Sequence, residues 1–352
     1  MILEETKILK VSPDLSGEGD LEKIAFAADI IKKGGLVAFP TETVYGLGAN
    51  ALCEKAVASI FSAKGRAQDN PLIVHVADAK DINRYAFAEG NEKADILMSQ
   101  MPAPLTVILP KREKVPMMVT AGLENVALRV PENVIARKLI ELSGLPVSAP
   151  SANLSGKPSP TKAWHVIADM NGRADVIIDG GDCAVGLEST VITLCTETPK
   201  LLRPGGFTYE RLCDLLGKVE ISDAVLEQLK EGQKPESPGM KYKHYAPDTR
   251  VILVKGSEEK VKDFICEKYK TENCGIICFD EDIDERSDRI LNMGSRKNDG
   301  KYAEKMFDAL RLTDTVEGID TVYAVLPETT DGISLAIYNR MLRAAAFNII
   351  EL

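Results

Sequence analysis

The pattern of apolar and polar positions changes its period along the chain, most clearly between residues 36 and 76. Residues 36–39 are apolar and predict a strand that runs into the polar turn PTET at 40–43. Apolar residues three and four positions apart then predict a helix over 54–63. Alternation over 72–76 predicts a further strand. Strand, helix and strand in this order indicate an α/β arrangement.

The same kind of alternation divides the chain into two domains. Strands and helices with hairpin-like returns predict an α/β domain with a mixed sheet over 1–207. A Pro- and Gly-rich stretch makes 208–249 a linker. Strands alternating with helices over 250–352, the last helix being 334–348, predict a smaller parallel, Rossmann-like domain. Because this part contains no GxGxxG motif, it does not predict a bound dinucleotide.

Composition agrees with a globular protein of two domains. The 352 residues exceed what one hydrophobic core comfortably holds, and 45% hydrophobic with 27% charged residues is ordinary for this class. The net charge of −10 argues against non-specific binding to nucleic acids or anionic membranes. No apolar run reaches the roughly 18 residues of a transmembrane helix. The acid-containing N-terminus is unlike a signal peptide, so we expect a cytoplasmic protein without membrane contact.

Cysteine and histidine usage argues against two other classes of protein. The seven cysteines are an odd number without a CxxC pair, which argues against a disulfide framework. Only three histidines are present, so a structural zinc site is not expected. The chain also lacks the GxSxG elbow of serine hydrolases and the GxxxxGK(S/T) loop of P-loop NTPases.

Four basic residues lie beside predicted strand ends or Gly/Pro turns, where open sheets place their ligands. They are Lys64, Arg66, Arg129 and Arg203. We expect Lys64 and Arg66, two positions apart in an extended segment, to point to one place. A single surface Lys or Arg is usually only solvated. A phosphate site is therefore predicted only if several of these cations converge.

Several long motifs occur in a fixed order along the chain. They are PTETVYGLG from residue 40, KGR from 64, NPLIVH from 70, SAPSANLSGKPSPT from 148, STV from 189 and RPG from 203. In these motifs the chain resembles the YrdC/Sua5 family. The stretch SPGMKYKHYAP at 237–247, with about a hundred residues after it, resembles the two-domain Sua5 form. The resemblance implies a YrdC-like domain over 1–207, a linker with a lid-like segment over 208–249 and a Sua5 C-terminal domain over 250–352.

The activity that this resemblance implies is that of a threonylcarbamoyl-AMP synthase. Such a nucleotidyltransferase converts L-threonine, bicarbonate and ATP into threonylcarbamoyladenylate and pyrophosphate. Mg²⁺ would accompany ATP, and no protein ligand to a metal is expected. The product would serve the t6A modification of tRNA through a downstream transferase complex, so tRNA would be an indirect partner.

The resemblance also implies roles for individual residues, with Lys64 and Arg66 as the catalytic pair. The implied ATP-binding residues are Lys64, Arg66, Asn70, Asn125, Arg129, Ser151, Asn153, Ser159, Arg203, Tyr242 and Tyr245. The implied threonine-binding residues are Thr43, His75, Ala149 and Ser189. Taken one by one, an ordinary turn at 148–153 and a satisfied core histidine at position 75 remain open, because turns favour small polar residues.

The segment 237–247 contains more aromatic and basic residues than a passive tether needs. We hypothesise that it folds over the first domain as a lid and excludes water from a reactive adenylate. Tyr242 or Tyr245 would then lie near the phosphates, and we favour Tyr242 because two lysines flank it. A solvated basic linker is the alternative.

Two other functions compete with the synthase. A tRNA- or rRNA-binding assembly factor would carry interleaved basic and aromatic residues, which the first domain lacks. A carbamoyltransferase of the hydrogenase-maturation type shares the YrdC module but carries CxxC zinc-finger repeats, and this chain contains none.

Overall fold

The computed structural model describes residues 5–226 and 245–352, which form two α/β units. The first unit is built on an eleven-stranded mixed sheet and the second on a five-stranded parallel sheet. This arrangement confirms the predicted fold class.

The first sheet combines parallel and antiparallel pairs. Its strands are β1 Lys7–Lys10, β2 Val37–Phe39, β3 Gly46–Asn50, β4 Ile73–His75, β5 Leu105–Pro110, β6 Asn125–Arg129, β7 Val147–Ser148, β8 Val176–Asp179, β9 Thr190–Thr193, β10 Lys200–Arg203 and β11 Glu220–Ile221. Their order across the sheet is β1-β8-β2-β3-β7-β4-β6-β5-β9-β10-β11. The predicted pair of strands over 185–194 is the single strand β9, which pairs with β10 through an antiparallel register.

Helices pack on this sheet, and short polar signals determine where several of them start and stop. The helices are α1 Asp20–Lys32, α2 Glu54–Lys64, α3 Glu92–Ser99, α4 Met117–Thr120, α5 Val134–Ser143, α6 Ala163–Met170 and α7 Tyr209–Leu216. The Asn133 side chain accepts hydrogen bonds from two backbone N–H groups at the start of α5, and Gly144 ends that helix at φ 66°. Helix α2 ends at Gly65, whose φ of 62° favours glycine.

Strand register brings residues far apart in sequence into one row across the first sheet. His75 on β4 lies opposite Arg129 on β6, and Arg129 lies opposite Thr106 on β5. Thr106 lies opposite Val191 on β9, which in turn lies opposite Arg203 on β10. The row therefore holds two guanidinium groups and one imidazole at the same level of the sheet.

The second unit has helices against a parallel sheet, as a Rossmann-like layer requires. Its strands are β12 Arg250–Lys255, β13 Gly275–Cys278, β14 Ile290–Asn292, β15 Thr321–Val325 and β16 Ile349–Glu351, and its helices are α8 Glu258–Thr271, α9 Asp299–Leu312 and α10 Ser334–Ala344. The strand order is β14-β13-β15-β12-β16. The predicted last helix is too long, because the chain leaves it after Ala344 and returns as the edge strand β16. No helix in the described ranges has the length and hydropathy to cross a membrane.

The first unit continues beyond residue 207, the boundary that the sequence predicted. Helix α7 and strand β11 lie within the stretch 208–249, and β11 pairs in parallel with β10. Helix α7 is strongly amphipathic and buries Leu212, which explains why this stretch packs on the sheet. Residues 227–244 of the predicted linker lie outside the described residues.

Addition of one methyl group at Gly205 tests how tightly the turn after β10 is packed. A Cβ at Gly205 would lie 2.5 Å from the backbone nitrogen of Thr190 and 2.6 Å from the carbonyl oxygen of Glu188. Backbone atoms cannot swing aside as a flexible side chain can, so we expect Gly205→Ala to lower the free energy of unfolding by about 1–3 kcal/mol. Denaturant-induced unfolding measures the change.

A matched Gly→Ala control is Gly300 in α9, where the nearest atom to the added methyl is 3.4 Å away, on the Asn298 side chain. We expect this variant to stay within about 1 kcal/mol of the parent protein. Equal midpoints for the two variants would show that the turn after β10 is not tightly packed.

Candidate active site

A polar cavity of about 50 Å³ lies against the row of basic residues in the first sheet. Strands β4, β6 and β10, the turn after β2, the loop after β7 and the segment before β9 supply most of its walls. The lining residues are Thr43, Val44, Arg66, Ile73, His75, Arg129, Ala149, Pro150, Ser151, Glu188, Ser189, Arg203 and Tyr245. The cavity therefore gathers all four implied threonine-binding residues with three of the four cations.

Arg129 is held by a carboxylate from the PTET turn. Its Nη2 lies 2.5 Å from Oε1 of Glu42, and both side chains are buried. The second oxygen of Glu42 accepts a hydrogen bond from the backbone N–H of Glu132 at 3.0 Å. A buried guanidinium without such a partner would carry a large desolvation cost. Glu42 was not among the implied site residues, although a carboxylate between two threonines in a motif was a signal available in the sequence.

Arg203 is oriented by the Ser189 residue that it faces. Its Nε donates to the Ser189 carbonyl at 3.0 Å, and its Nη2 donates to the Ser189 hydroxyl at 3.2 Å. That hydroxyl also shares a 2.8 Å hydrogen bond with Thr106. Burial lowers the pKa of Arg203 to about 10, so the group stays cationic at neutral pH. The same cause lowers the pKa of Arg66 to about 10.

Lys64 has a different position from the one that the sequence predicted. It is the last residue of α2 and Gly65 turns the chain, so Lys64 and Arg66 do not belong to one extended segment. The Lys64 amine is buried and donates to the carbonyl oxygens of Ser151 and Asn153 at 2.5 and 2.6 Å. Burial holds its pKa well below the usual value for a lysine. Lys64 thus fixes the loop after β7, whereas Arg66 lines the cavity.

His75 is a neutral side chain. Burial, with a smaller contribution from the neighbouring Arg129, lowers its pKa to about 3. Its Nδ1 is buried and has no hydrogen-bond partner among the described residues. This unpartnered nitrogen favours a binding role over the satisfied core histidine that the sequence left open.

Other buried polar atoms of the implied site residues are also unpartnered within the described residues. They are Nε of Arg66, Oδ1 of Asn70, Nε of Arg129 and Oδ1 of Asn153. Native proteins pair nearly all buried polar atoms, and exceptions call for an explanation such as a bound ligand. Arg66 and Arg129 line the cavity, so their unpartnered atoms fit a site for a polar ligand.

Besides Lys64, four implied ATP-binding residues lie elsewhere than in the cavity wall. Asn125 starts β6, four residues from Arg129, and at about 3.4 Å per residue it lies at the opposite end of the strand. The Asn153 amide donates to two carbonyl groups in its own loop. Ser159 lies behind the wall, where its hydroxyl donates to Glu188 at 2.5 Å. Asn70 is buried, and its carbonyl faces the Arg66 guanidinium at 3.4 Å.

Within the described residues, the predicted linker contributes Tyr245 to the cavity wall. Tyr245 is 2% exposed, has a φ of 65° and packs against Phe307 of α9 with ring centroids 5.3 Å apart. Burial raises the pKa of its hydroxyl. Tyr242, which the sequence favoured, lies outside the described residues.

Two family descriptions match adjacent parts of the chain. Residues 29–205 match the family described as "Telomere recombination", which groups Sua5, YciO and YrdC. Residues 207–346 match the family described as "Threonylcarbamoyl-AMP synthase, C-terminal domain". Within the described residues, no group of three or more His, Cys, Asp or Glu side chains could hold a metal ion.

Named relatives agree with both matches. A threonylcarbamoyl-AMP synthase of Pyrococcus abyssi is 46% identical over 94% of this chain and 96% of that protein. One of Bacillus subtilis is 43% identical over 94% of each chain. The crystal structure of P. abyssi Sua5 complexed with L-threonine superposes with a TM-score of 0.90 at 44% identity, covering 99% of this chain and all of that one. Escherichia coli YciO superposes on 57% of this chain and 96% of its own, with a TM-score of 0.51 at 25% identity.

The lowered pKa of His75 predicts how the free energy of unfolding depends on pH. The folded pKa lies below the value of about 6.5 in an unfolded chain, so unfolded molecules bind a proton that folded molecules do not. Stability therefore falls as the pH drops from about 6.5 towards 3. Relative to His75→Gln, we expect the parent protein to lose about 2 kcal/mol of unfolding free energy between pH 7 and pH 5. Urea denaturation at both pH values measures the difference, and a constant difference would contradict a neutral His75.

Proposed function

The chain belongs to the threonylcarbamoyl-AMP synthase family, and we propose that its cavity converts L-threonine, bicarbonate and ATP into L-threonylcarbamoyladenylate and pyrophosphate. The observation that carries this proposal is the convergence of three guanidinium groups, from Arg66, Arg129 and Arg203, on one cavity. The other polar side chains in its wall are hydroxyls, a neutral imidazole and the Glu188 carboxylate, which is already paired with Arg340. Cations suit the phosphates and the carbamate, and uncharged groups suit an amino acid side chain.

The reaction needs positioned charge more than covalent help from the protein. The threonine amine and bicarbonate first give a carbamate and water. A carbamate oxygen then attacks the α-phosphorus of ATP, and the bond from that phosphorus to the pyrophosphate oxygen breaks. Negative charge moves onto the pyrophosphate, so fixed guanidinium groups in a buried site stabilise the transition state. Arg66 and Arg203 are the groups to which we assign this role.

We assign the threonine end of the cavity to Thr43, His75, Ala149 and Ser189. The first three lie in the turn after β2, at the end of β4 and in the loop after β7, and Ser189 immediately precedes β9. Neutral His75 has an unpartnered nitrogen that can hydrogen-bond the substrate without adding charge. The similar P. abyssi protein was crystallised in complex with L-threonine, which supports threonine as a ligand of this chain.

Mg²⁺ belongs in this proposal as part of the nucleotide substrate. The described residues include no cluster of metal ligands, and the carboxylates of Glu42 and Glu188 are already paired with arginines. We therefore assign the ion to the phosphates of ATP and give it no protein site.

Tyr245 supports the lid hypothesis for the end of the linker. Its buried ring closes one side of the cavity, where it would exclude water from a mixed anhydride that water hydrolyses.

We further propose that the protein works in the cytoplasm. There the adenylate would pass to a transferase complex for t6A modification, so that this acidic chain contacts tRNA only indirectly.

Mass spectrometry of the nucleotide product tests the proposed function. ATP, L-threonine and bicarbonate incubated with the protein should yield threonylcarbamoyl-AMP and pyrophosphate without any RNA. Omission of threonine or bicarbonate should abolish the product. Hydrolysis of ATP to AMP that does not depend on threonine would refute the proposal.

Substitution of the two implied catalytic cations should lower turnover for different reasons. We expect Arg66→Ala to reduce kcat at least about a hundredfold, the scale for the loss of one transition-state contact. Its melting temperature should change little, because among the described residues the guanidinium makes only long contacts, of 3.4 and 3.3 Å, to the carbonyl oxygens of Asn70 and Pro71. Lys64→Ala should lose similar activity and also melt earlier, because it leaves the Ser151 and Asn153 carbonyls without their donor.

The control for both variants is Lys80→Ala. Lys80 is 79% exposed and pairs only with Asp78 at the surface, so its removal should change neither rate nor melting temperature. A near-normal rate for Arg66→Ala would refute the assignment of this guanidinium to the reaction.

Amino acid selectivity should follow the hydroxyl group of the substrate. A site that hydrogen-bonds a hydroxyl rejects an isostere without it by on the order of 10⁴-fold, whereas one methyl group is worth about tenfold. We therefore expect kcat/KM to fall modestly from threonine to serine and steeply from threonine to valine. Comparable kcat/KM values for threonine and valine, measured by pyrophosphate release, would show that the cavity does not hydrogen-bond the hydroxyl group of threonine.

A further inference from the structure

One side chain of the second unit reaches the wall of the cavity in the first unit. Arg340 of α10 is fully buried. Its Nε donates to Oε2 of Glu188 at 3.0 Å, and its Nη1 donates to the carbonyl oxygen of Pro204 at 2.6 Å. A longer contact of 3.4 Å joins Nη2 to the Glu188 carbonyl. One guanidinium group thus ties together two chain segments of the first unit.

Those two segments carry two of the residues assigned to substrate binding. Glu188 immediately precedes Ser189, and Pro204 immediately follows Arg203. Ser189 and Arg203 are themselves joined by two hydrogen bonds. A shift of either segment would therefore move the Ser189 hydroxyl and the Arg203 guanidinium relative to each other.

Glu188 links Arg340 to the cavity wall, and both of its carboxylate oxygens accept hydrogen bonds. Its Oε1 accepts from the Ser159 hydroxyl at 2.5 Å, while Oε2 accepts from Arg340. Because both oxygens accept hydrogen bonds, the position of the carboxylate is fixed. A second arginine of the same unit, Arg311 in α9, donates to the carbonyl of Pro158, next to Ser159, at 2.6 and 3.1 Å.

The contact between Arg340 and Glu188 is a buried ion pair. Burial disfavours the ionised form of Glu188, but the neighbouring Arg340 and Arg203 together hold its pKa below the usual value. The other polar groups that face it are the hydroxyls of Ser159 and Tyr245. Loss of one partner from such a buried pair leaves an uncompensated charge.

We propose that Arg340 is a positioning residue for the synthase reaction, and that the second unit completes the active site of the first by fixing Ser189 and Arg203 through Glu188 and the Pro204 carbonyl. This inference rests on the proposed function. It gives the second unit a direct part in catalysis, because a displacement of about 1 Å at reacting groups can cost about a hundredfold in rate.

Kinetics of Arg340→Met and Arg340→Lys in the full chain test the proposal. We expect Arg340→Met to lower kcat at least about tenfold and to raise the KM for threonine. The lysine variant, which keeps the charge but loses the planar fork, should recover part of the loss. In Glu188→Gln combined with Arg340→Met, the loss should not exceed that of the arginine variant alone, because both act through one contact.

Arg296→Met is the matched control. Arg296 is another largely buried arginine of the second unit, and it pairs with Asp282 of the same unit. Its substitution breaks a buried ion pair without touching Glu188 or Pro204, so kcat should stay within about twofold of the parent value. An equal loss of kcat in both methionine variants would mean that the effect is general destabilisation, and the positioning role would be wrong.

The pH profile separates positioning through Glu188 from a merely structural role. Burial raises the pKa of Glu188, and Arg340 and Arg203 lower it. Without Arg340, mainly Arg203 remains to lower it, so the pKa of Glu188 should rise. The acidic limb of the kcat/KM profile should then move to higher pH in Arg340→Met and vanish in the double variant with Glu188→Gln. An unshifted limb in the single variant would overturn the proposal.

Two further measurements keep the outcome decisive. If Arg340→Met does not fold, Glu188→Gln, which preserves shape, should still show the loss of kcat, and parent-like kinetics would refute the inference. Calorimetric titration with L-threonine should show weaker binding to Glu188→Gln than to the parent protein. That titration does not depend on adenylate formation, so failure of the proposed function would be recognised separately by the absence of product.

Discussion

The burial of guanidinium groups is the constraint on which the rest of this structure depends. Arg129, Arg203 and Arg340 are all buried, and a buried cation is tolerated only when a carboxylate or several carbonyl oxygens surround it. Glu42 and Glu188 supply the carboxylates, and each is itself held by further hydrogen bonds. The turn after β2, the segment before β9 and the segment after β10 therefore have little freedom to move.

This constraint also explains the chemical character of the cavity. Glu188 in its wall and Glu42 beside it are engaged in ion pairs, and the imidazole of His75 is kept neutral by burial. What remains available to a ligand is positive charge and uncharged polar groups, which suits a triphosphate and a carbamate better than proton transfer by a carboxylate. The site is organised to orient two reacting groups and to stabilise charge that moves between them.

The two units are joined by the same kind of contact that builds the site. Arg340 donates to Glu188 and Pro204, and the second unit's apolar cluster includes Val44, Leu187 and Tyr245 from or beside the cavity wall. Apolar packing gives the interface its stability, while directional hydrogen bonds, including those of Arg340 and Arg311, fix its alignment. The position of the second unit is thus coupled to the geometry of the cavity.

The sequence by itself determined the local elements and the identity of most site residues. The helix over 134–143 follows from an Asn cap and a terminal Gly. The motifs contain His75 and Arg203, and Arg129 was a candidate because it ends a predicted strand. Only the tertiary structure decided which of these residues meet, since strand register aligns residues far apart in the chain. It showed that Asn125 begins the strand that Arg129 ends, and that Lys64 holds a loop. It also revealed Arg340, for which no local pattern in α10 names a partner, because a buried ion pair between two units is a property of their packing.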